Sequence, residues 1–175
     1  MKRSRLVPVI ATAAVVAAGS GYAASLPQQN PAKVPQGELA LESKISTAFS
    51  LQLAGFPRRS FPQGAQITVE HDQFPAQGKS GSNSGWHSHA GPVFVEVVRG
   101  TLTLYEANDP KCAGTRYPAG TGFLEPGHGN VHDARNETNK PVDIYAVYIL
   151  PPGSGDAGLY QPRPLHSNKA CPFAS

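Results

Sequence analysis

Residues 93–107 read VFVEVVRGTLTLYEA, two runs of alternating apolar residues joined by the single glycine Gly100. Side chains along a strand point to opposite faces in turn, so each run is a strand with one buried face and Gly100 is the turn between them. Similar runs recur along the chain. Residues 65–74 (AQITVEHDQF) set Ile67, Val69 and His71 against Thr68, Glu70 and Asp72, and residues 142–150 (VDIYAVYIL) close the series. Short strands are expected at 116–118, 122–125 and 131–137. Residues 38–56 mix alternation with an apolar run, read as a short helix or, preferably, a strand from about Thr47. Helix-period runs are few, and the 18 glycines and 17 prolines supply turns between strands. Strands so spaced predict an all-β sandwich or barrel.

The segment just before the hairpin carries the chemistry. Residues 81–100 read GSNSGWHSHAGPVFVEVVRG, with His87 and His89 two apart. On an extended strand both imidazoles share a face, where two neutral rings can hold a divalent metal. A third ligand must come from elsewhere, and His132, in PGHGNVHDARNET, is the best candidate. Trp86 should point away from the metal by the same alternation. The loop at 75–85 contains Gly78-Lys79-Ser80, but position 73 is glutamine where a phosphate-binding loop needs glycine, so that motif is rejected.

Two patterns together resemble the cupin superfamily. Its first motif is Gly, five residues, His-x-His, three or four residues, Glu, six residues, Gly; here Gly81, His87-Ser88-His89 and Gly100 match. Its second is Gly, five residues, Pro-x-Gly, two residues, His, three residues, Asn; here Gly120, Pro126, Gly129, His132 and Asn136 match, with one extra residue between Pro126 and Gly129. The resemblance spans residues 81–136 and implies a cupin-type jelly-roll β-barrel. It also implies one divalent transition metal ion (iron, manganese, copper, nickel or zinc) at His87, His89 and His132. The motif glutamate should stand at position 93, which is Val93, and the odd offset of Glu96 puts it on the opposite face. The expectation is therefore a three-histidine centre. Three imidazoles carry no charge, so the ion keeps +2 and favours anionic oxygen ligands.

The N-terminus is a separate matter. Met1-Lys2-Arg3-Ser4-Arg5 is basic, residues 6–19 are apolar but short for a bilayer span, and small residues follow. This is the pattern of a secretory signal peptide over residues 1–24, with cleavage near Ala23, hence an exported protein, periplasmic or secreted. Without Lys2, Arg3 and Arg5 the 15 basic residues fall level with the 12 acidic ones. Nothing then argues for nucleic acid or a membrane surface as a partner after cleavage. In an exported chain the two cysteines, Cys112 and Cys171, are expected to form one disulfide rather than stay as independent thiols. Residues 25–45 are expected to be a flexible arm, 46–152 the barrel domain, and 153–175 an irregular tail wrapping it, held by Cys171.

Glu125, before Pro126, is a candidate catalytic residue: a general base, an oxygen ligand, a partner of an imidazole N–H, or simply a strand-end acid. His128 is expected to line a loop near the mouth, His71 could face the cavity, and His166 is read as surface. Trp86, Phe94, Tyr105, Phe123, Tyr145 and Tyr148 are read first as packing, and Arg99 and Arg135 as solvated. Asn136-Glu137-Thr138 is a formal glycosylation sequon, but a structural role for the Asn136 amide is preferred. The resemblance implies an enzyme of oxygenase, decarboxylase or isomerase type acting on a small oxygenated or anionic molecule, with a homodimer possible. The alternative is a non-catalytic module that binds a small molecule, sugar or metal.

Overall fold

The computed structural model describes residues 36–163 together with Cys171 and Phe173. In chain order the strands are β1 (Gln36–Lys44), β2 (Phe49–Leu51), β3 (Arg59–Phe61), β4 (Gln66–Phe74), β5 (His87–Ser88), β6 (Val93–Arg99) and β7 (Thr101–Glu106). There follow β8 (Thr115–Pro118), β9 (Thr121–Glu125), β10 (His132–Arg135), β11 (Val142–Leu150), a single turn of helix α1 (Asp156–Leu159), and β12 (Gln161–Pro162). They form two five-stranded sheets, ordered β1-β4-β11-β6-β9 and β12-β5-β10-β7-β8, with β2 and β3 as a separate pair. Neighbours are antiparallel throughout both sheets. The predicted all-β jelly roll is what the chain forms.

The two sheets share one core. Val93, Val95 and Val97 on β6 and Val142, Ile144, Ala146, Tyr148 and Leu150 on β11 turn inward from one sheet. They meet Leu102 and Leu104 of β7 and Ala134 of β10 from the other. The alternation at 93–107 and 142–150 is thus the physical cause of the sandwich, each run burying one face.

On β4 the alternation is present but the buried face is the polar one. Gln66, Thr68, Asp72 and Phe74 are buried, while Ile67, Val69 and His71 are only half-buried. Hydrophobicity alone would place Ile67, Val69 and His71 inside. Instead, inward Gln66 donates to the Thr68 hydroxyl at 2.9 Å, and Asp72 faces a cavity. His71 lies on the outer face against its cross-strand partner Tyr145, ring centroids 5.0 Å apart. It does not face the cavity.

The domain limits also differ from expectation. The last part of the expected flexible arm is strand β1, paired along β4, and the apolar run that follows forms only the short β2. The expected irregular tail begins with structure: α1 packs Leu159 into the core, and β12 pairs with β5. The expected signal peptide at 1–24, the rest of the arm to residue 35, and residues 164–170, including His166, lie outside the described residues. Among the described residues no helix is long and apolar enough to cross a membrane.

Two devices close the structure. Asn136 is buried and its amide donates to three carbonyls, Phe74 at 3.1 Å, Pro75 at 2.8 Å and Lys140 at 2.7 Å. Its oxygen accepts from Thr138 N and Oγ1. This confirms the structural reading of Asn136 over the sequon. The Cys112–Cys171 disulfide joins positions 59 apart in sequence. Closing such a loop stabilises by about 4 kcal/mol on the chain-entropy model. Cys112→Ser/Cys171→Ser should lower unfolding free energy in denaturant titration by an amount of that order. Asn136→Ala should cost several kcal/mol, since each buried carbonyl left without a donor costs about 1–3 kcal/mol.

Candidate metal centre

His87 on β5 and His132 on β10 are direct cross-strand partners, and His89 follows one residue past the end of β5. Residues 82–85 continue the same pairing, with Ser84 N donating to Ala134 O at 2.8 Å and Asn136 N to Ser82 O at 2.7 Å. The ladder therefore delivers two imidazoles to one point, and the period of two brings the third. Ring centroids lie 4.7 Å apart for His87–His89, 4.4 Å for His87–His132 and 5.0 Å for His89–His132. All three rings are buried, and one ligating atom from each falls within 4.8 Å of the others. The predicted trio is assembled.

Backbone carbonyls orient two of the rings. His87 Nδ1 lies 2.8 Å from Gly85 O, and His89 Nδ1 contacts Leu159 O. A carbonyl only accepts, so each Nδ1 carries a hydrogen and each ring turns its Nε2 to the centre. Two glycines bring the motif segments together. A β-carbon at Gly91 would collide with Ile149 O, and one at Gly127 with the Gly91 backbone. This contact lets His128 N donate to His89 O at 2.9 Å.

Glu125 is not a surface acid. It is 4% exposed, and its Oε2 lies 2.7 Å from His89 Nε2 and 3.0 Å from His132 Nε2. The two nitrogens are 3.2 Å apart. Two imidazole nitrogens and a carboxylate oxygen thus meet in a buried space. A single proton satisfies one such contact; a divalent cation satisfies all of them, so the donors fit a metal. Burial lowers the His87 pKa well below its ordinary value, reinforced by His132 and His89. Burial alone would raise the Glu125 pKa, but His132 and His89 reverse the effect and hold it below the usual carboxylate range. Burial likewise would lower that of His132, and Glu125 overrides it upward.

His87 and His89 open on a cavity of about 50 Å³ inside the sandwich, also lined by Glu70, Asp72, Tyr148, Leu159 and Tyr160. That is room for roughly four water molecules. Tyr160 stacks on His87 with centroids 4.6 Å apart and donates to Ser84 O at 2.9 Å. Tyr148 lines the cavity beside Glu70 and meets the His89 ring edge-on at 5.4 Å. Asp72 is 7% exposed, and its carboxyl makes no side-chain hydrogen bond among the described residues. Its pKa is raised well above ordinary by burial, then by Glu70 and Glu125.

Sequence reasoning missed Asp72, Tyr148 and the Leu159–Tyr160 pair. An inward polar residue on a strand otherwise bearing apolar side chains was the one available signal, and it was read with the faces reversed. The remaining candidates stand elsewhere. Glu96 is exposed on the outer face opposite Gly122, as its offset requires. Arg99 forms a two-bonded pair with Asp143 at 2.6 and 3.0 Å. Arg135 binds Asp133 at 2.8 Å and covers the Phe173 ring at 4.1 Å, so it is not simply solvated. Trp86 points away from the rings and stacks on Phe173, centroids 6.1 Å apart. His128 lies on the turn after β9 and is absent from the cavity wall.

Two five-stranded antiparallel sheets enclose the site, with a His-x-His segment at β5 and the last histidine on β10, each where its motif predicts. The fold is that of a cupin. No protein-family model matches the chain, and no curated protein matches it. Among solved structures, it is similar to a double-stranded β-helix domain protein from Klebsiella pneumoniae subsp. pneumoniae MGH 78578, at 19% identity over 73% of this chain and 85% of that one, TM-score 0.43. A second is an RmlC-like cupin family protein from Methanocaldococcus jannaschii, at 14% identity over 65% and 89%, TM-score 0.42. A third is a cupin domain from Bordetella pertussis Tohama I, at 19% identity over 61% and 97%, TM-score 0.39.

The position of Asp72 in the cupin interior has a thermodynamic consequence. Its folded pKa lies above the unfolded value of 3.8, so the folded state binds more protons and loses stability as pH rises from that value through the folded one. In metal-free protein, Asp72→Asn is expected to raise the denaturation midpoint more at about pH 8 than at about pH 4. Equal shifts at both would show that the Asp72 carboxyl carries no burial cost.

Proposed function

We propose that this chain is an exported, metal-dependent cupin enzyme that acts on a small anionic substrate by Lewis-acid and proton-transfer chemistry, of decarboxylase or isomerase type. The observation that carries the reading is the cavity itself. Two of the three imidazoles, His87 and His89, line it, and so do Asp72, Glu70 and Tyr148. Burial holds both Asp72 and Tyr148 toward their protonated forms. Asp72 and Tyr148 therefore offer hydrogen-bond and proton donors in the cavity where an anion would be held.

A divalent ion bound at His87, His89 and His132 would supply Lewis acidity to a carboxylate, enolate or phenolate oxygen. This chain's own groups do the rest. Gly85 and Leu159 carbonyls fix the rings, and Tyr160 covers His87. Asp72, with no competing side-chain hydrogen bond among the described residues, is free to donate to a substrate oxygen or hand a proton to a substrate carbon. The cavity volume favours aliphatic acids of a few carbons over phenolic rings. The disulfide supports folding in an oxidising compartment, in keeping with the expected export.

Elemental analysis of the purified chain should find about one transition metal ion per molecule. His132→Ala should lower metal affinity at least about tenfold, since even an outer-shell partner commonly contributes that much. A chain that neither carries nor takes up metal would sink the proposal. Short oxo and hydroxy acids in D₂O, followed by NMR beside an oxygen electrode, test the reaction. Deuterium incorporation or CO₂ release without O₂ uptake is expected, lost in Asp72→Asn at unchanged metal content. O₂ consumed in step with product would instead mark an oxygenase.

A further inference from the structure

We propose that Glu125 is the fourth protein ligand of the metal centre, supplied from β9 in place of the carboxylate that Val93 denies it from β6. The inference rests on the metal-binding reading above and adds the ligand set. It replaces the expected three-histidine centre with one of three imidazoles and one carboxylate.

The ladder between β6 and β9 carries the argument. Val93 pairs directly with Glu125, and directly opposed residues in an antiparallel pair project from the same face with their β-carbons about 5 Å apart. A glutamate side chain on either strand can reach the same point in the interior. Val93 is 1% exposed and lines the cavity, so it fills space beside the centre without offering a donor. A glutamate at both positions would put two like charges side by side in the core, which is destabilising. Valine at 93 and glutamate at 125 therefore read as one exchange across the ladder rather than as the loss of a ligand.

The distances agree. The Oε2–Nε2 separations of 2.7 and 3.0 Å and the Nε2–Nε2 separation of 3.2 Å outline a triangle. Two donors bound at right angles about 2.1 Å from one ion lie about 3 Å apart. Among the described residues Oε2 has no polar partner beyond these ring nitrogens. One of those nitrogens, His89 Nε2, is turned toward it by the contact of His89 Nδ1 with the Leu159 carbonyl. Pro126 and Gly127 follow at once, and the close packing of Gly127 on Gly91 ties the end of β9 to the segment carrying His89. With Glu125 bound, a divalent centre carries +1 rather than +2, so a singly charged substrate anion neutralises it.

The test uses zinc as the probe and four proteins: wild type, Glu125→Val, His132→Ala, and the exchange variant Val93→Glu/Glu125→Val. Zinc-loaded wild type should place a Glu125 oxygen within about 2.0–2.2 Å of the ion in a crystal structure. Glu125→Val should lose affinity in titration beyond the roughly 10–100-fold of an outer-shell partner. The exchange variant should recover much of that loss, because the carboxylate returns from the opposite strand. Wild-type zinc held by the histidines with Glu125 oxygens beyond about 3 Å would overturn the proposal and leave the metal reading standing. So would tight binding by Glu125→Val when His132→Ala binds weakly. No uptake by wild type would overturn both. If Glu125→Val does not fold, the zinc-loaded wild-type structure decides alone.

Discussion

Ring nitrogens and a carboxylate held together in a buried interior need a proton or a cation between them. At the heart of this fold His89 Nε2, His132 Nε2 and Glu125 Oε2 meet within 3.2 Å, at side chains no more than 5% exposed. The rest of the structure can be understood as what keeps them there. One sheet brings His87 opposite His132, and the other brings Glu125 opposite Val93. The cost of that convergence is offset by the shared apolar core and by the backbone carbonyls that fix the rings.

The interior is correspondingly divided. Toward β6, β7 and the inward face of β11 it is an ordinary packed core of valine, leucine and isoleucine. Toward β4 it is polar, with Asp72 buried and its carboxyl without a side-chain hydrogen bond among the described residues, and Glu70 beside Tyr148. A stable scaffold has no use for a carboxyl in that position, since burial penalises its charge. Sites that work against stability in this way are where chemistry is found, because reactivity needs groups that are not already satisfied.

Much of this was legible in the residues. The strong alternations at 93–107 and 142–150 marked β6, β7 and β11 to within a residue, because nothing competes with a period-two apolar face. The two histidine segments were legible because their spacing maps directly onto the pleat. The face of β4 was not, since hydrophobicity ranks Ile67 and Val69 above Thr68 and Asp72, and the interior here demands polar groups. Nor was the role of Glu125 among its alternatives, because register across β6 and β9 is a property of two strands and cannot be seen in either alone. Leu159 and Tyr160 sit in a segment without periodicity, where only tertiary contact gives a residue its meaning.

That last pair bears on when the centre comes into being. His89 takes its orientation from a carbonyl 70 residues further on, and His87 is covered by the ring that follows it. No local segment of the chain therefore owns the site. A nascent or truncated polypeptide ending before α1 has His87, His89 and His132 and still lacks the group that fixes one of them. Competence arrives late, with the closing of long-range contacts, which are the slow ones to form. The choice of ion is then made by whatever surroundings the finished fold meets, not by those in which its histidines were first synthesised.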